Sequence, residues 1–374
     1  MNRCTAFGRH AVRGLATLFV VSSLAGCGEA PVRKESSAPR EFVFPAPPDE
    51  PRFYFERSLY SSADVIPKEK GAALKQLLTG EAERGGEGIE KPHGVAVRRG
   101  RVYVADSVAA AVRVFDIPGK RYFSIGQDDP GQLLQPLGLD TDAAGNVYVV
   151  DATSRLVNVY DRDGKYLRQF GGRSMFNRPS GVGVDAKGDR VYVVDAGGVE
   201  RSVEHRVRVF DGRTGKHLFD FGKRGAGKGE FNLARDAAVD GAGNVYVIDG
   251  GNFRIQVFDR DGKFLRTFGQ VGRMPGNFAR PREIAIDASG SVYVSDAAFG
   301  NFQIFDPQGN ILMHVGTRSE RDQPTRYMLP AGIAVDEDGR VYMADQYFRK
   351  VDIYRPAHLK AAEGFAVEKS FPMR

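Results

Sequence analysis

The stretch Asp236-Ala-Ala-Val-Asp240-Gly-Ala-Gly-Asn244-Val-Tyr-Val-Ile-Asp249-Gly-Gly-Asn-Phe-Arg254-Ile-Gln-Val-Phe-Asp259-Arg-Asp-Gly-Lys263-Phe-Leu-Arg-Thr-Phe-Gly269 reads as four short strands in succession. The runs 236–240, 244–249, 254–259 and 263–269 alternate apolar and polar residues and are rich in β-branched and aromatic side chains. Gly241-Ala-Gly-Asn and Arg260-Asp-Gly-Lys separate the outer pairs of runs and supply glycine where a tight hairpin needs positive φ.

The pattern recurs from residue 92 onward. Its Val-Tyr-Val-like core places tyrosines at Tyr103, Tyr148, Tyr192, Tyr246, Tyr293 and Tyr342, each followed three residues later by an aspartate. Those residues, Asp106, Asp151, Asp195, Asp249, Asp296 and Asp345, are spaced 45, 44, 54, 47 and 49 apart, the length of one four-stranded propeller blade. The fold expected is therefore all-β, a six-bladed β-propeller occupying 52–356. Composition agrees: 45 glycines in 374 residues suit a chain of many turns.

The last repeat is short. After Pro330 it holds three strands, at 332–336, 340–345 and 350–355, and Pro356 stops it. The alternating segment Arg52-Phe-Tyr-Phe-Glu-Arg-Ser-Leu-Tyr60 is expected to supply the fourth, closing the ring and removing an exposed edge. Residues 68–79 read as a short helix leading to blade one, and the tail 357–374 is unassigned.

The first 26 residues read as a secretory leader, with Arg3, Arg9 and Arg13 ahead of the apolar run 15–21. The leader ends in Leu24-Ala25-Gly26-Cys27, which resembles the lipobox of bacterial lipoproteins. That resemblance implies cleavage before Cys27 and lipidation of its thiol and amine, and the apolar run is too short to span a bilayer. Gly28 after the cysteine favours the outer membrane. Residues 27–51, rich in proline, are expected to form an extended tether. Loss of the leader's three arginines takes the net charge from +6 to +3, which does not point to nucleic acid. With only Cys4 and Cys27, a disulfide framework and a cysteine-based zinc site are excluded.

The phrase Asp249-Gly-Gly-Asn252-Phe-Arg254-Ile-Gln-Val-Phe-Asp259 resembles the NHL repeat, as does the loop Gly276-Asn-Phe-Ala-Arg-Pro281. Ala109, Ser154 and Phe299 stand where the motif has Asn, and blade three carries an insertion at 197–204. With its lipobox and tether, the chain resembles bacterial six-bladed NHL lipoproteins. Six-bladed relatives include a peptide-amidating lyase with a histidine-held zinc and sugar lactonases with carboxylate-bound calcium.

Several segments carry candidate chemistry. The six aspartates ending the second strands suggest a carboxylate ring for a metal, or caps for loop amides repeated in every blade. Asp161-Arg-Asp-Gly164 and Asp259-Arg-Asp-Gly262 lack the remaining ligands of a calcium loop and read as turns. Gly222-Lys-Arg-Gly-Ala-Gly-Lys228-Gly229 falls short of a phosphate loop by its final residue and by the lack of a following helix pattern. Aligned blade starts make His93, Leu137, Ser180, Arg235, Arg282 and Ala331 equivalent positions near the channel mouth. One histidine there does not make a zinc site, which wants three protein ligands. At the next position four blades have glycine, whereas blades four and five have Asp236 and Glu283, which suggests two acid–base pairs with Arg235 and Arg282.

Charge in the interblade loops is uneven. Segments 80–91 and 126–136 carry −2 each, while 171–179, 222–236, 269–283 and 316–330 together carry +7. These features lead to one principal expectation and one alternative. The first is a lipid-anchored, monomeric, non-catalytic binding or scaffold module without cofactor or metal. Its loop-rich face would hold an acidic protein or anionic glycan through Arg178, Lys223, Arg224, Arg235, Arg280 and Arg282. The alternative is a channel-mouth lyase or lactonase, with or without a metal, using Asp236, Glu283 and His93.

Overall fold

The computed structural model describes residues 42–67, 86–197 and 204–367. It shows six antiparallel sheets arranged as blades around a channel. The innermost strands are Pro92–Arg98, Pro136–Thr141, Pro179–Val184, Ala234–Val239, Pro281–Ile286 and Pro330–Val335. Each packs against the next, and the last packs against the first, so the ring is closed. Blade four has the strands read from its sequence: Ala234–Val239, Val245–Asp249, Arg254–Phe258 and Phe264–Phe268. Described helix is limited to two 3-10 turns, Ser62–Asp64 and Gly250–Asn252. No helix among the described residues is long and apolar enough to cross a membrane.

The core is divided. Buried apolar residues form six clusters, one at each seam between blades. In the seam between blades three and four, Tyr192 and Val194 of one second strand pack with Phe231, Phe258 and Val245 of the next blade. The second strands are buried on both faces, which explains their near-continuous apolar runs, whereas outer strands such as His217–Phe221 and Ile311–Val315 alternate exposed and partly buried residues.

The six repeat aspartates are buried and cap backbone amides. Asp106 accepts from the amides of Glu90, Lys91, Val108 and Ala109, and Asp345 from Met328, Leu329, Tyr347 and Phe348. One carboxylate thus fixes both an interblade loop and the following turn, and the metal-ring reading of these residues gives way to this role.

Blade six closes with the N-terminal segment. Phe53–Leu59 pairs antiparallel with Lys350–Pro356, with Phe53 opposite Pro356 and Leu59 opposite Val351. Ser58 Oγ donates to Asp352 Oδ1 at 2.6 Å, and Asp352 Oδ2 pairs at 3.2 Å with the buried Lys350. The expectation of a tether through residue 51 needs correction. Val43–Phe44 adds a fifth strand outside Phe53–Leu59. Phe44 stacks edge-on to Tyr354, and Phe42 to Phe55, so alternate aromatics pull this proline-rich stretch onto the sheet. Part of the tail is ordered too: Ala366 joins the core between blades six and one, and the Glu363 carbonyl accepts from the buried Arg340 at 2.7 Å. The leader, Cys27 and the helix expected at 68–79 lie outside the described residues.

Candidate anion-binding site

In every inner strand the register slips just after the first residue, for example between Pro92 and Val95, Ala234 and Ala237, and Pro281 and Ile284. Such bulges re-aim side chains. Here the slip lies at the end facing the interblade loops, and the residues within it line the channel mouth. The six positions aligned from sequence do meet there: His93, Leu137, Ser180, Arg235, Arg282 and Ala331 surround a well of about 70 Å³.

Arg235 and Arg282 come from adjacent blades, and Arg178 and Arg280 approach from the ends of their interblade loops. The latter two are held by backbone amides donating to repeat aspartates, Arg178 to Asp195 at 2.7 Å and Arg280 to Asp296 at 3.0 Å. Among the described residues, none of the four guanidiniums has a carboxylate oxygen within 4.0 Å. Their effect on one another is visible in their protonation. Burial, then Arg235 and Arg280, pull the Arg282 guanidinium down to about 10. Burial together with Arg178 and Arg280 lowers Arg235. Burial and the charges of Arg282, Lys91 and Arg235 hold His93 down to about 4, so it is neutral at pH 7.

The acid–base pairs expected within blades four and five do not form. Asp236 and Glu283 line the same well as Arg235 and Arg282, and the Glu283 charge partly offsets the lowering of Arg282, but both carboxylates are spent on backbone amides of neighbouring blades. Ile284 N donates to Asp236 Oδ2 at 3.2 Å, and Ile333 N to Glu283 Oε2 at 3.1 Å. Inner-strand amides face the axis with no further strand to pair them, and a carboxylate satisfies them better than an arginine beside it would. Asp236 occupies space beside Gly181, where a Cβ would lie 2.3 Å from Asp236 Oδ1. Burial pushes Asp236 up to about 7 and raises Glu283 well above the usual carboxylate range.

A third channel carboxylate escaped the sequence reading. Asp140 Oδ2 accepts from Val184 N at 2.8 Å, and burial pushes it up to about 7. The signal was present, since Asp140 stands where the other inner strands have Ala96, Gly183, Ala238, Ala285 and Ala334. Below the well the channel widens to a cavity of about 330 Å³, lined by Asp140, Asp236 and Glu283 with Asp240, Asp287 and Asp336 nearer its rim. Asp236 and Glu283 thus line both spaces, with the arginines at the loop-rich end and the further carboxylates beyond.

The other singled-out residues fall elsewhere. Lys223 pairs with Glu230 at 3.3 Å, and Arg224 lies in a two-residue parallel ladder with Phe231, so neither joins the four arginines. The phosphate-loop reading fails on the same contact: the Gly227 amide donates to Glu230 Oε2 at 2.9 Å, and a strand follows. Asp161 accepts the amides of Asp163 and Lys165, as a turn requires. A zinc or calcium of the kind implied by six-bladed relatives does not fit the mouth. His93 has guanidiniums for neighbours, Asp236 and Glu283 are engaged by amides, and no metal-holding group of three His, Cys, Asp or Glu occurs among the described residues.

Residues 231–258 match the NHL repeat. Over 87 residues the chain is 37% identical to human NHL repeat-containing protein 3, a match covering 23% of each chain; it thus spans under a quarter of that relative. The fold is similar to a streptogramin B lyase, with TM-score 0.52 and 11% identity over 71% of this chain and 94% of that one. It is also similar to a gluconolactonase from Xanthomonas campestris, with TM-score 0.54 and 16% identity over 71% and 86%. These likenesses concern the fold. The chain is an all-β six-bladed propeller carrying an NHL repeat.

Proposed function

We propose that the protein is an envelope-anchored binding module that grips an acidic segment of a partner polypeptide with its loop-rich face. The observation that carries this reading is that Arg235 and Arg282 line the well with the exposed Arg178 and Arg280 near enough to act on them, and that among the described residues none of the four forms an ion pair within 4.0 Å. Cations gathered in a partly buried well repel one another, and an anion relieves that repulsion with forked, charge-assisted hydrogen bonds. A polypeptide is favoured over an anionic glycan by the exposed apolar side chains of the same face: Val108, Leu134, Met274 and Tyr347 are each at least half exposed. Such side chains around a charged centre match the composition of protein-binding patches. The small well takes one carboxylate, and the surrounding loops take its flanks. Anchoring rests on the lipobox at Cys27, which would hold the module at the outer membrane.

The test is a titration with a synthetic peptide of alternating Glu and Leu, and separately with polygalacturonate. The peptide should bind more tightly than the polyuronate, lose affinity with added salt, and bind at least tenfold more weakly to Arg178→Ser/Arg235→Ser/Arg280→Ser/Arg282→Ser. Equal binding by wild type and variant, or indifference to salt, overturns the reading. Tighter binding of polygalacturonate replaces the polypeptide with a glycan. A divalent metal that copurifies and supports lactone hydrolysis would instead favour the enzyme alternative.

A further inference from the structure

At the opposite end of the ring, blade one departs from the repeat. Five blades turn from first to second strand through an Asp-x-x-Gly sequence whose aspartate caps the turn. Asp142 accepts the Asn146 amide at 2.9 Å, Asp240 that of Asn244 at 2.8 Å, and Asp336 that of Arg340 at 2.8 Å. Asp185 and Asp287 do likewise. Blade one has Arg98-Arg99-Gly100-Arg101 instead, a shorter turn in which Arg98 pairs directly with Arg101. Arg99 and Gly100 both have positive φ, 47° and 75°. A capping acid has thus been exchanged for Arg98 and Arg99, which turn formation does not require, while Arg101 stands where blades three and six also have arginine.

These bases border a cleft of about 430 Å³ between blades one and two, completed by Arg121 and Arg162. The carboxylates nearby are already engaged. Asp116 takes Arg101 Nε at 3.0 Å and Arg121 Nη2 at 2.8 Å, and Asp163 takes Arg101 Nη1 at 2.9 Å. Glu337 takes Arg98 Nε at 3.1 Å and the Arg99 amide at 3.0 Å. Arg162 comes no closer than 3.9 Å to Asp163, and the Arg99 guanidinium has no carboxylate within 4.0 Å among the described residues. Five guanidiniums face three carboxylates. The remaining lining is largely apolar: Pro118, Ala143, Ala144, the ring of Tyr103, and Phe365 brought in by the C-terminal segment.

We propose that this cleft binds a small amphiphilic carboxylate, its charged end held by Arg99 and Arg162 and its flat apolar body lying against Pro118 and Phe365. The guanidinium plane matches a carboxylate in a forked pair, and the apolar wall discriminates such a ligand from an inorganic anion. This site is separate from the channel mouth and does not depend on the function proposed there.

Calorimetric titration of the full chain with naphthalene-2-carboxylate tests the proposal. With the channel mouth silenced by Arg178→Ser/Arg235→Ser/Arg280→Ser/Arg282→Ser, one site is expected, weakened at least tenfold when Arg99→Asn/Arg162→Ser is added at two exposed turn positions, of which the first tolerates positive φ as Asn. Phe365→Ser should weaken it as well, and Arg162→Lys should restore part of the loss. The proposal is overturned by absence of binding, by equal affinity in the Arg99→Asn/Arg162→Ser protein, or by full displacement with equimolar inorganic phosphate.

Discussion

Glu283, on the inner strand of blade five, accepts a hydrogen bond at 3.1 Å from the backbone amide of Ile333 on the inner strand of blade six. Asp236 joins blade four to blade five in the same way, and Asp140 joins blade two to blade three. Three carboxylates thus bridge seams from inside the channel, and all three have raised proton affinity. An acid whose folded pKa lies above its unfolded value near 4 binds more protons when folded, so its contribution weakens as pH rises toward the folded pKa. The melting temperature should accordingly be higher at pH 6 than at pH 8, since Asp140 and Asp236 titrate near 7. In Asp140→Asn/Asp236→Asn/Glu283→Gln that slope should flatten. A wild-type melting temperature that climbs from pH 6 to pH 8 contradicts the assignment.

The His93 imidazole reports on the cationic mouth. Arg282 and Arg235 contribute to holding its pKa near 4, so Arg235→Ser/Arg282→Ser should raise it, as should an anion bound in the well. Proton NMR titration of the His93 ring reads this directly. An unmoved midpoint in the double variant would mean that burial and Lys91 set it without the two arginines.

Truncations separate the two N-terminal strands. Removal of everything through residue 51 should lower stability by only about 1–2 kcal/mol, because it strips a half-buried Phe44 from Tyr354. Removal through residue 60 takes away Phe53–Leu59 and the Ser58 contact to Asp352, and should abolish cooperative unfolding. Urea midpoints check both, and equal values would refute this division of roles.

Asp249 tests the repeat cap. It holds the Asn232 amide at 2.7 Å, the Asn252 side chain at 2.8 Å and Arg254 Nε at 2.8 Å, all without exposure of its own. Asp249→Ala should cost about 3–5 kcal/mol by leaving the Asn232 amide, the Asn252 side chain and the partly buried Arg254 without their shared acceptor. Asp161→Ala, on an exposed turn, should cost about 1 kcal/mol or less in the same chemical denaturation.

Periodic elements were legible in the sequence because each blade repeats one solution to the same packing problem. The aligned tyrosines and aspartates located second strands, and the missing Lys263-to-Gly269 counterpart in blade six pointed to residues 52–60. Aligned blade starts likewise found the six residues around the mouth. Side-chain direction was not legible. Asp236 sits beside Arg235 in the chain and lines the same well, and only the folded ring shows its carboxylate spent on the Ile284 amide of the next blade. Phe42 and Phe44 were hidden by the prolines around them, whose composition suggests extension more strongly than two aromatics suggest docking.

The join between Phe53–Leu59 and Lys350–Pro356 also fixes an order of events. Ser58 and Asp352 are 294 residues apart, yet they share a hydrogen bond in the same sheet. During synthesis the first of these strands emerges before any blade and must wait for the last. Contacts this distant in sequence form slowly, because a long loop must close before they are rewarded. Until then every earlier blade can assemble on its neighbour, but the circle stays open at one seam. A chain interrupted before residue 350 would present two unpaired margins to proteases, so completeness of translation is read out mechanically by whether the first strand finds its partner.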